Sequence, residues 1–519
     1  MAQKLLQVLN DFSLGINETV SPNLIPNNAL VDAENCILGK GFVKRRGGFV
    51  KYSNQLLQPI KTLYEYYKND GSKEMLAVSD QKIYKDNNGI LEVIPFNTIT
   101  SLSSSQTKMI TYKDRNINDV TLIADKGKLK VYNGTDVREV TPHTPVDNSS
   151  TGGGNELADP GTNDLSNLTN FRAITLNKYE RVFAAAHPTV KNRVSFCHLD
   201  PTIGYAVYDY FPATHFFDLA TIDNDEIVDL KLFRDAVIVF CKRSIWAIYG
   251  DGRTLNDYEI KKINVPDGCI SSESIKEVGN NIFYLSNNHI YSLFSTDENF
   301  ISAEIISHVK ETGSNIEQTL KNISLADKEQ AVGVFFESKY FLSFPSGLTL
   351  VFDTTLGCWT KYTNIKANSF LSRDGVLLFS SDSGYIYRFD ENVFNDDGEP
   401  INFSLTLKNM DFGYPVNDKK FRRLWTIAQQ YDVESSSFNV KAKIDYMERE
   451  LTDISTDQSL VWGEGNWGEV HWGYKEVVQN SLRIRDKGKN IQLIISSNEI
   501  DQPLIIYGFV LQYKLKKAK

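Results

Sequence analysis

A short strand–turn–strand unit recurs along this chain, and that recurrence limits the folds open to it more than any other feature. Its clearest copy, residues 226–250, reads EIVDLKLFRDAVIVFCKRSIWAIYG. Apolar residues come in bursts: Ile227, Leu230 and Leu232, then Val237 and Val239, then Ile245 and Ile248. Arg234-Asp235 and Lys242-Arg243-Ser244 separate them. Bursts of about 4–8 residues rich in Val, Ile, Phe and Tyr, cut by polar turns, are strand signals. A helix needs apolar positions three and four apart over roughly 10 unbroken residues. Three antiparallel strands of this length enclose too small a core to fold alone, so the unit must stack on others.

Related units occupy 75–84, 120–132, 181–197, 281–293, 340–352 and 376–387, each ending its second strand near an aromatic or apolar residue. Repeats of roughly 40–50 residues with several strands each are the sequence pattern of a β-propeller. The reading is an all-β chain: a propeller of six or seven blades, seven preferred, over residues 55–400, with a closed ring that removes exposed sheet edges.

The charged residues argue against a general nucleic-acid binder, which carries a basic face. The net charge is −9, with −11 in residues 1–400 and +2 in 401–519. Cys36, Cys197, Cys241, Cys269 and Cys358 lie far apart without a C-x-x-C pair, which excludes zinc ribbons and dithiol redox motifs. Reduced thiols are expected, from folding in a cytosol. The N-terminal ten residues lack the pattern of a signal peptide. The apolar run at 504–511 is too short to span a bilayer, so no membrane span is expected.

No cofactor, metal or catalytic group is expected. His198 follows Cys197 directly, but adjacent strand residues point to opposite faces, so the two are not a nucleophile and its base. The acidic stretches at 223–226 and 395–399 lack the spacing of a calcium loop and read as turns. Thr151-Gly152-Gly153-Gly154 is followed by neither Gly-Lys-Ser/Thr nor a helix, so it reads as an inter-blade insertion rather than a phosphate cradle. Propellers include sialidases, yet 372–375 and 381–385 lack the Thr-Trp ending of an Asp box; they read as tight turns with glycine at positive φ.

Residues 1–54 precede the repeats. Pro22 and Pro26, with Gly15, Gly39, Gly41, Gly47 and Gly48, oppose regular structure, apart from one helical turn at 27–35 capped by Asn28. The expectation is an extended arm that contacts something beyond its own blade. Lys44-Arg45-Arg46 is too short a basic run for a nucleic-acid patch and is expected to face protein partners instead. From residue 401 the strands lengthen and alternate, predicting a separate C-terminal β-sandwich at 401–519. Within it Trp462, Trp467 and Trp472 are spaced by five, each followed by glycine. They suit stacking on a sugar or a partner, or a glycine-rich hairpin that covers the sandwich.

The arm also carries a family likeness. Phe12-x-x-Gly15-Ile16-Asn17, Ser21-Pro22-x-x-Ile25-Pro26, then 32–36 (DAENC) and Arg46-Gly47-Gly48-Phe49 resemble the openings of tailed-bacteriophage virion proteins. The similarity is to packaged-DNA stabilisation and tail-nozzle (tail tubular protein B) proteins of short-tailed phages, and runs from residue 11 to about 430. It implies a propeller built into a homo-oligomeric ring below the portal. Its partners would be portal, adaptor and tail proteins, located in the virion, with DNA passing nearby and not tightly bound. The expected function is structural and non-enzymatic: joining head to tail and helping to retain and guide packaged DNA. The arm residues Phe12, Gly15, Ile16, Asn17, Pro22, Pro26, Lys44, Arg45 and Arg46 and the three tryptophans are the candidate partner-binding set. The rival readings are a carbohydrate- or receptor-binding propeller at the tail tip and a propeller glycoside hydrolase.

Overall fold

The computed structural model describes residues 4–143, 162–198, 206–221, 225–250, 258–294, 308–429, 437–455 and 477–516. Within them the chain is a β-propeller and a two-layer β-sandwich, with N-terminal strands woven through both. Five four-stranded antiparallel blades stand by themselves, at 60–93, 108–139, 173–218, 227–263 and 276–311. Two further four-strand units belong to larger sheets. The penultimate blade is Val332–Phe336, Lys339–Ser343, Thr349–Asp353 and Cys358–Tyr362. The last is Ser369–Arg373, Val376–Ser380 and Ile386–Asp390, completed by Gly48–Lys51 from the N-terminus. The first strand of the last blade packs on the first strand of the first blade, which closes the ring.

The cores lie between blades, and this explains the sequence pattern. Ala236–Cys241 is buried along its whole length because a neighbouring blade covers each of its faces. Val237 and Val239 pack with Phe183 and Phe196 of the third blade, while Ile238 and Phe240 pack with Ile282 and Tyr284 of the fifth. Leu378 and Ile386 of the last blade meet Ile60, Met75 and Ala77 of the first, so the closing seam is filled like the others. The turns at 374–375 and 384 hold positive φ, with Gly375 at +77° and Gly384 at +78°, as the tight-turn reading requires.

The C-terminal segment forms the sandwich. One layer contains Lys419–Gln429, Val477–Arg483 and Ile505–Leu515; the other contains Phe403–Leu407, Ser437–Ile444, Met447–Ser455 and Ile491–Ser497. Leu405, Val440, Ala442 and Ile495 on one side share a core with Leu424, Ile506, Phe509 and Leu511 on the other. The strict alternation along Ser437–Ile444 reflects one packed and one open face.

The arm is extended and contacts elements beyond the last blade, and its strands join the sheets instead of lying apart from them. Lys4–Leu9 pairs with Ile505–Leu515, and Cys36–Gly39 with Phe42–Arg45 extends the same layer. Ala29–Glu34 inserts between Phe403–Leu407 and the penultimate blade, where a helical turn was expected. Asn28 caps no helix; its side chain approaches Ser13 Oγ at 3.4 Å. Edges of two sheets offer the arm's backbone groups partners that a free arm would lack, so residues 4–54 are structurally part of both bodies. Pro22 and Pro26 confine the irregular stretch to a turn between strands.

Candidate partner-binding surface

The structure divides the candidate residues into buried ties and an exposed end. Phe12 and Ile16 are buried in the sandwich core. Gly15, at φ +60°, sits so close to the Trp359 carbonyl that a Cβ would lie 2.6 Å from its oxygen. Asn17 donates its backbone N–H to the Leu30 carbonyl at 2.9 Å. Glu18, which no sequence motif marks out, accepts from the Thr319 backbone N–H at 2.8 Å and from Lys361 Nζ at 3.1 Å, joining the arm to the penultimate blade. Lys361 also binds Asp32 at 3.0 Å. Burial would lower its pKa, but Asp32 and Glu18 outweigh that and raise it.

Arg45 and Arg46 turn inward, which corrects the expectation of an outward-facing run for these two residues. Arg46 is buried and all five of its N–H donors are used. Nε donates to Asn35 Oδ1 at 2.8 Å, Nη1 to Asp396 Oδ1 at 2.8 Å and Gly47 O at 3.0 Å, and Nη2 to Asp396 Oδ2 at 2.6 Å and Thr363 O at 2.9 Å. Asn35, held at φ +52°, donates Nδ2 to Thr363 Oγ1 and to the Asn402 carbonyl, both at 2.7 Å. Arg45 is buried as well, with Nη1 on the Glu499 and Gln502 carbonyls at 2.9 and 2.8 Å. Burial lowers its pKa to about 10 despite the nearby Glu499. Lys44 is half-buried, 3.8 Å from Glu391. A guanidinium sequestered this way reaches neither phosphate nor partner. The resemblance motif residues Asn35, Arg46, Gly48 and Phe49 instead tie the closing strand to the ring.

Pro22 and Pro26 do reach the surface. Their turn lies at one end of the sandwich beside two other loops, and hydrogen bonds join the three. Asn409 donates its N–H to the Pro22 carbonyl at 3.1 Å, and Asn23 Nδ2 donates to the Tyr446 hydroxyl at 3.2 Å. Lys419 Nζ bonds the Tyr414 carbonyl and the Lys489 carbonyl, both at 2.6 Å. Lys489 N–H in turn reaches Asp445 Oδ1 at 2.8 Å. This end presents Leu24 (73% exposed), Tyr446 (65%), Met447 (68%) and Val416 (68%).

Tyr446 is the most informative of them. It forms a two-residue hairpin turn with Asp445, between paired Ile444 and Met447, and both turn residues have positive φ, +45° and +69°. Such turns favour Asn-Gly or Asp-Gly. A bulky residue at positive φ is an outlier that surrounding structure must enforce. The signal was present in sequence, as two alternating strands meeting at 445–446, but the absence of glycine hid it. Trp462, Trp467 and Trp472 lie outside the described residues.

Other clusters are structural. Three carboxylates of the expected acidic turns are occupied: Asp225 accepts from Ser244 Oγ at 2.8 Å, Asp396 from Arg46, and Asp397 pairs with Lys51 at 3.0 Å. Among the described residues no group of three or more His, Cys, Asp or Glu is placed to hold a metal. No helix among them is long and apolar enough to cross a membrane. All five cysteines are free and buried, and burial pushes the Cys197 thiol up to about 12. Lys108, of the second blade, binds Asp229 of the fourth at 2.8 Å and Glu273 at the start of the fifth at 2.7 Å. Neither the fourth nor the fifth blade adjoins the second, so the cluster stands across one mouth of the ring's central channel.

No protein-family model and no curated protein sequence matches the chain. Solved structures do. The extracellular domain of a putative one-component system from B. thetaiotaomicron aligns at 11% identity and TM-score 0.40, over 93% of this chain and 63% of that one. BamB from Moraxella catarrhalis aligns at 10% identity and TM-score 0.37, over 74% and 98%. The computationally designed Ika8 protein aligns at 10% identity and TM-score 0.34, over 66% and 99%.

Proposed function

We propose that this chain is a non-enzymatic structural protein of a tailed-phage virion. It would act in the neck or tail, dock through the exposed end of its sandwich, and help to retain and guide packaged DNA. The observation that carries the docking is Tyr446, an exposed aromatic at positive φ on an end of the sandwich that also exposes Leu24, Val416 and Met447. Single exposed apolar residues are ordinary, but clusters rimmed by polar groups favour protein contacts. The placement in a virion rests on the arm's resemblance to phage neck and tail proteins. Expected partners are portal, adaptor or tail proteins and further copies of this chain. DNA would pass without tight binding, and not through the propeller axis, whose mouth the Lys108 cluster crosses.

The test uses virions bearing an epitope on this chain, imaged by negative stain with a labelled antibody, beside the variant Tyr446→Gly. Wild-type label is expected at the neck or tail. Glycine relieves a left-handed conformation that costs a non-glycine residue about 1–2 kcal/mol, so the purified variant should be at least as stable as wild type yet poorly incorporated. Unlabelled wild-type particles would refute the virion reading. Normal incorporation of the variant would refute the docking surface.

A further inference from the structure

A cleft of about 620 Å³ opens where the turns between first and second strands of the first three blades converge. It belongs to a different part of the molecule from the sandwich end, and its role is independent of the virion reading. Two tyrosines on its walls are half-exposed, Tyr67 at 51% and Tyr179 at 48%, and each has a lysine over its ring. The Tyr67 hydroxyl donates to Glu65 at 2.7 Å, with Lys73 Nζ 5.4 Å from the ring centroid. Tyr179 donates its backbone N–H to Asn177 Oδ1 at 2.9 Å, with Lys178 Nζ 5.1 Å from its ring. Between them lies buried Tyr112, whose hydroxyl donates to the Glu180 carbonyl at 2.6 Å. The Asn69 N–H donates to Asp119 at 2.8 Å, which fixes the first two turns to each other.

Ile117, on the same cleft, is exposed at φ +65°. A β-branched residue in that region is a genuine outlier, and strain of this kind collects at binding sites. The charged groups of the lining balance, Lys68 and Lys113 against Asp119 and Glu180. That balance disfavours phosphates and other anions. The polar groups among the rings disfavour a lipid tail, and turns offer a peptide no strand to extend. Aromatic faces beside neutralised polar groups suit a ligand with apolar C–H faces and many hydroxyls. We propose that this cleft binds a neutral oligosaccharide.

The experiment is saturation-transfer NMR on the full chain with millimolar maltotriose, cellotriose and chitotriose, each measured separately, and sialyllactose as a charged comparison. Transfer to at least one neutral sugar is expected. The variant Tyr67→Ala/Tyr179→Ala should weaken that binding by about tenfold or more, one stacked ring being worth up to roughly that factor. Tyr414→Ala, at the sandwich end, should leave it unchanged. Should the double variant misfold, Ile117→Glu places a charge on the cleft from an exposed position and should weaken the same signal. Transfer from none of the neutral sugars, transfer from sialyllactose only, or transfer indifferent to cleft variants would overturn the proposal.

Discussion

Replacing Asp396 by asparagine tests whether one buried ion pair holds the ring closed. Asp396 and Arg46 are 1% and 2% exposed in their side chains, and the carboxylate takes two of the five guanidinium hydrogen bonds. Asparagine keeps the shape but presents an amide donor where Arg46 already presents donors, and it leaves the cation without a counter-charge. Breaking a buried pair from one side costs about 3–5 kcal/mol, whereas an exposed pair is worth about 0–1. The expected loss is therefore about 3–5 kcal/mol, read as a shift of the first transition in urea by near-UV circular dichroism. Arg46→Met with Asp396→Leu removes both charges and should recover part of the loss. The recovery stays partial because the Thr363 carbonyl loses its donor, at about 1–3 kcal/mol. Hydrogen exchange should rise first at Gly48–Lys51 and Ile386–Asp390. A loss below about 1 kcal/mol for Asp396→Asn, or unchanged exchange at the closing strand, would refute the reasoning.

Gly48→Ala would set a Cβ 1.7 Å from the Asn395 carbonyl oxygen, so it should destabilise by at least about 1–3 kcal/mol in the same denaturation assay. His215 is buried against His198, Nε2 to Nδ1 at 3.0 Å, and burial, with a smaller contribution from His198, lowers its pKa from 6.5 to about 3. The unfolded chain binds this proton first, so the His215 contribution is intact above pH 6.5 and is lost as pH falls toward 3, at up to about 1.4 kcal/mol per pH unit; His215→Gln should flatten that slope. With Arg45 and Arg46 buried and a net charge of −9, a fluorescence-anisotropy titration with duplex DNA at physiological salt should show no binding even in the usual non-specific range of about 10⁻⁴–10⁻⁶ M.

The blades were legible because their period is local. Residues 236–241 read as one apolar run since both faces are covered, and 437–444 read as alternating since one face is open. The arm's strand pairing was not legible for the opposite reason. Glycines and prolines at 15, 22, 26, 47 and 48 look like breakers, and nothing nearby in sequence says that the strands between them pair with residues hundreds of positions away. Arg45 and Arg46 were misplaced in the same way: a basic run reads as surface until a counter-ion such as Asp396, at 350 positions' remove, is known. Tyr446 escaped notice because turn chemistry is read from glycine and asparagine, and here an aromatic holds the position against its preference.

Pairings this distant also set the order in which the molecule can be completed. Gly48–Lys51 finds its partner at Ile386–Asp390, and Lys4–Leu9 finds its partner near the opposite terminus, in Ile505–Leu515. Local hairpins within blades need no such wait, and contacts of long sequence separation form late because loop closure opposes them. The first blades therefore form while the arm is still unpaired, and the ring closes only after residue 390 is available. The exposed end of the sandwich also waits on distant segments, since it joins the arm turn at Pro22 to Asn409 and to the hairpin at Asp445 and Tyr446. A docking surface built from these three segments would exist only on a chain that extends past residue 446. Incomplete chains would not present it, so a partner selecting this surface would select finished molecules.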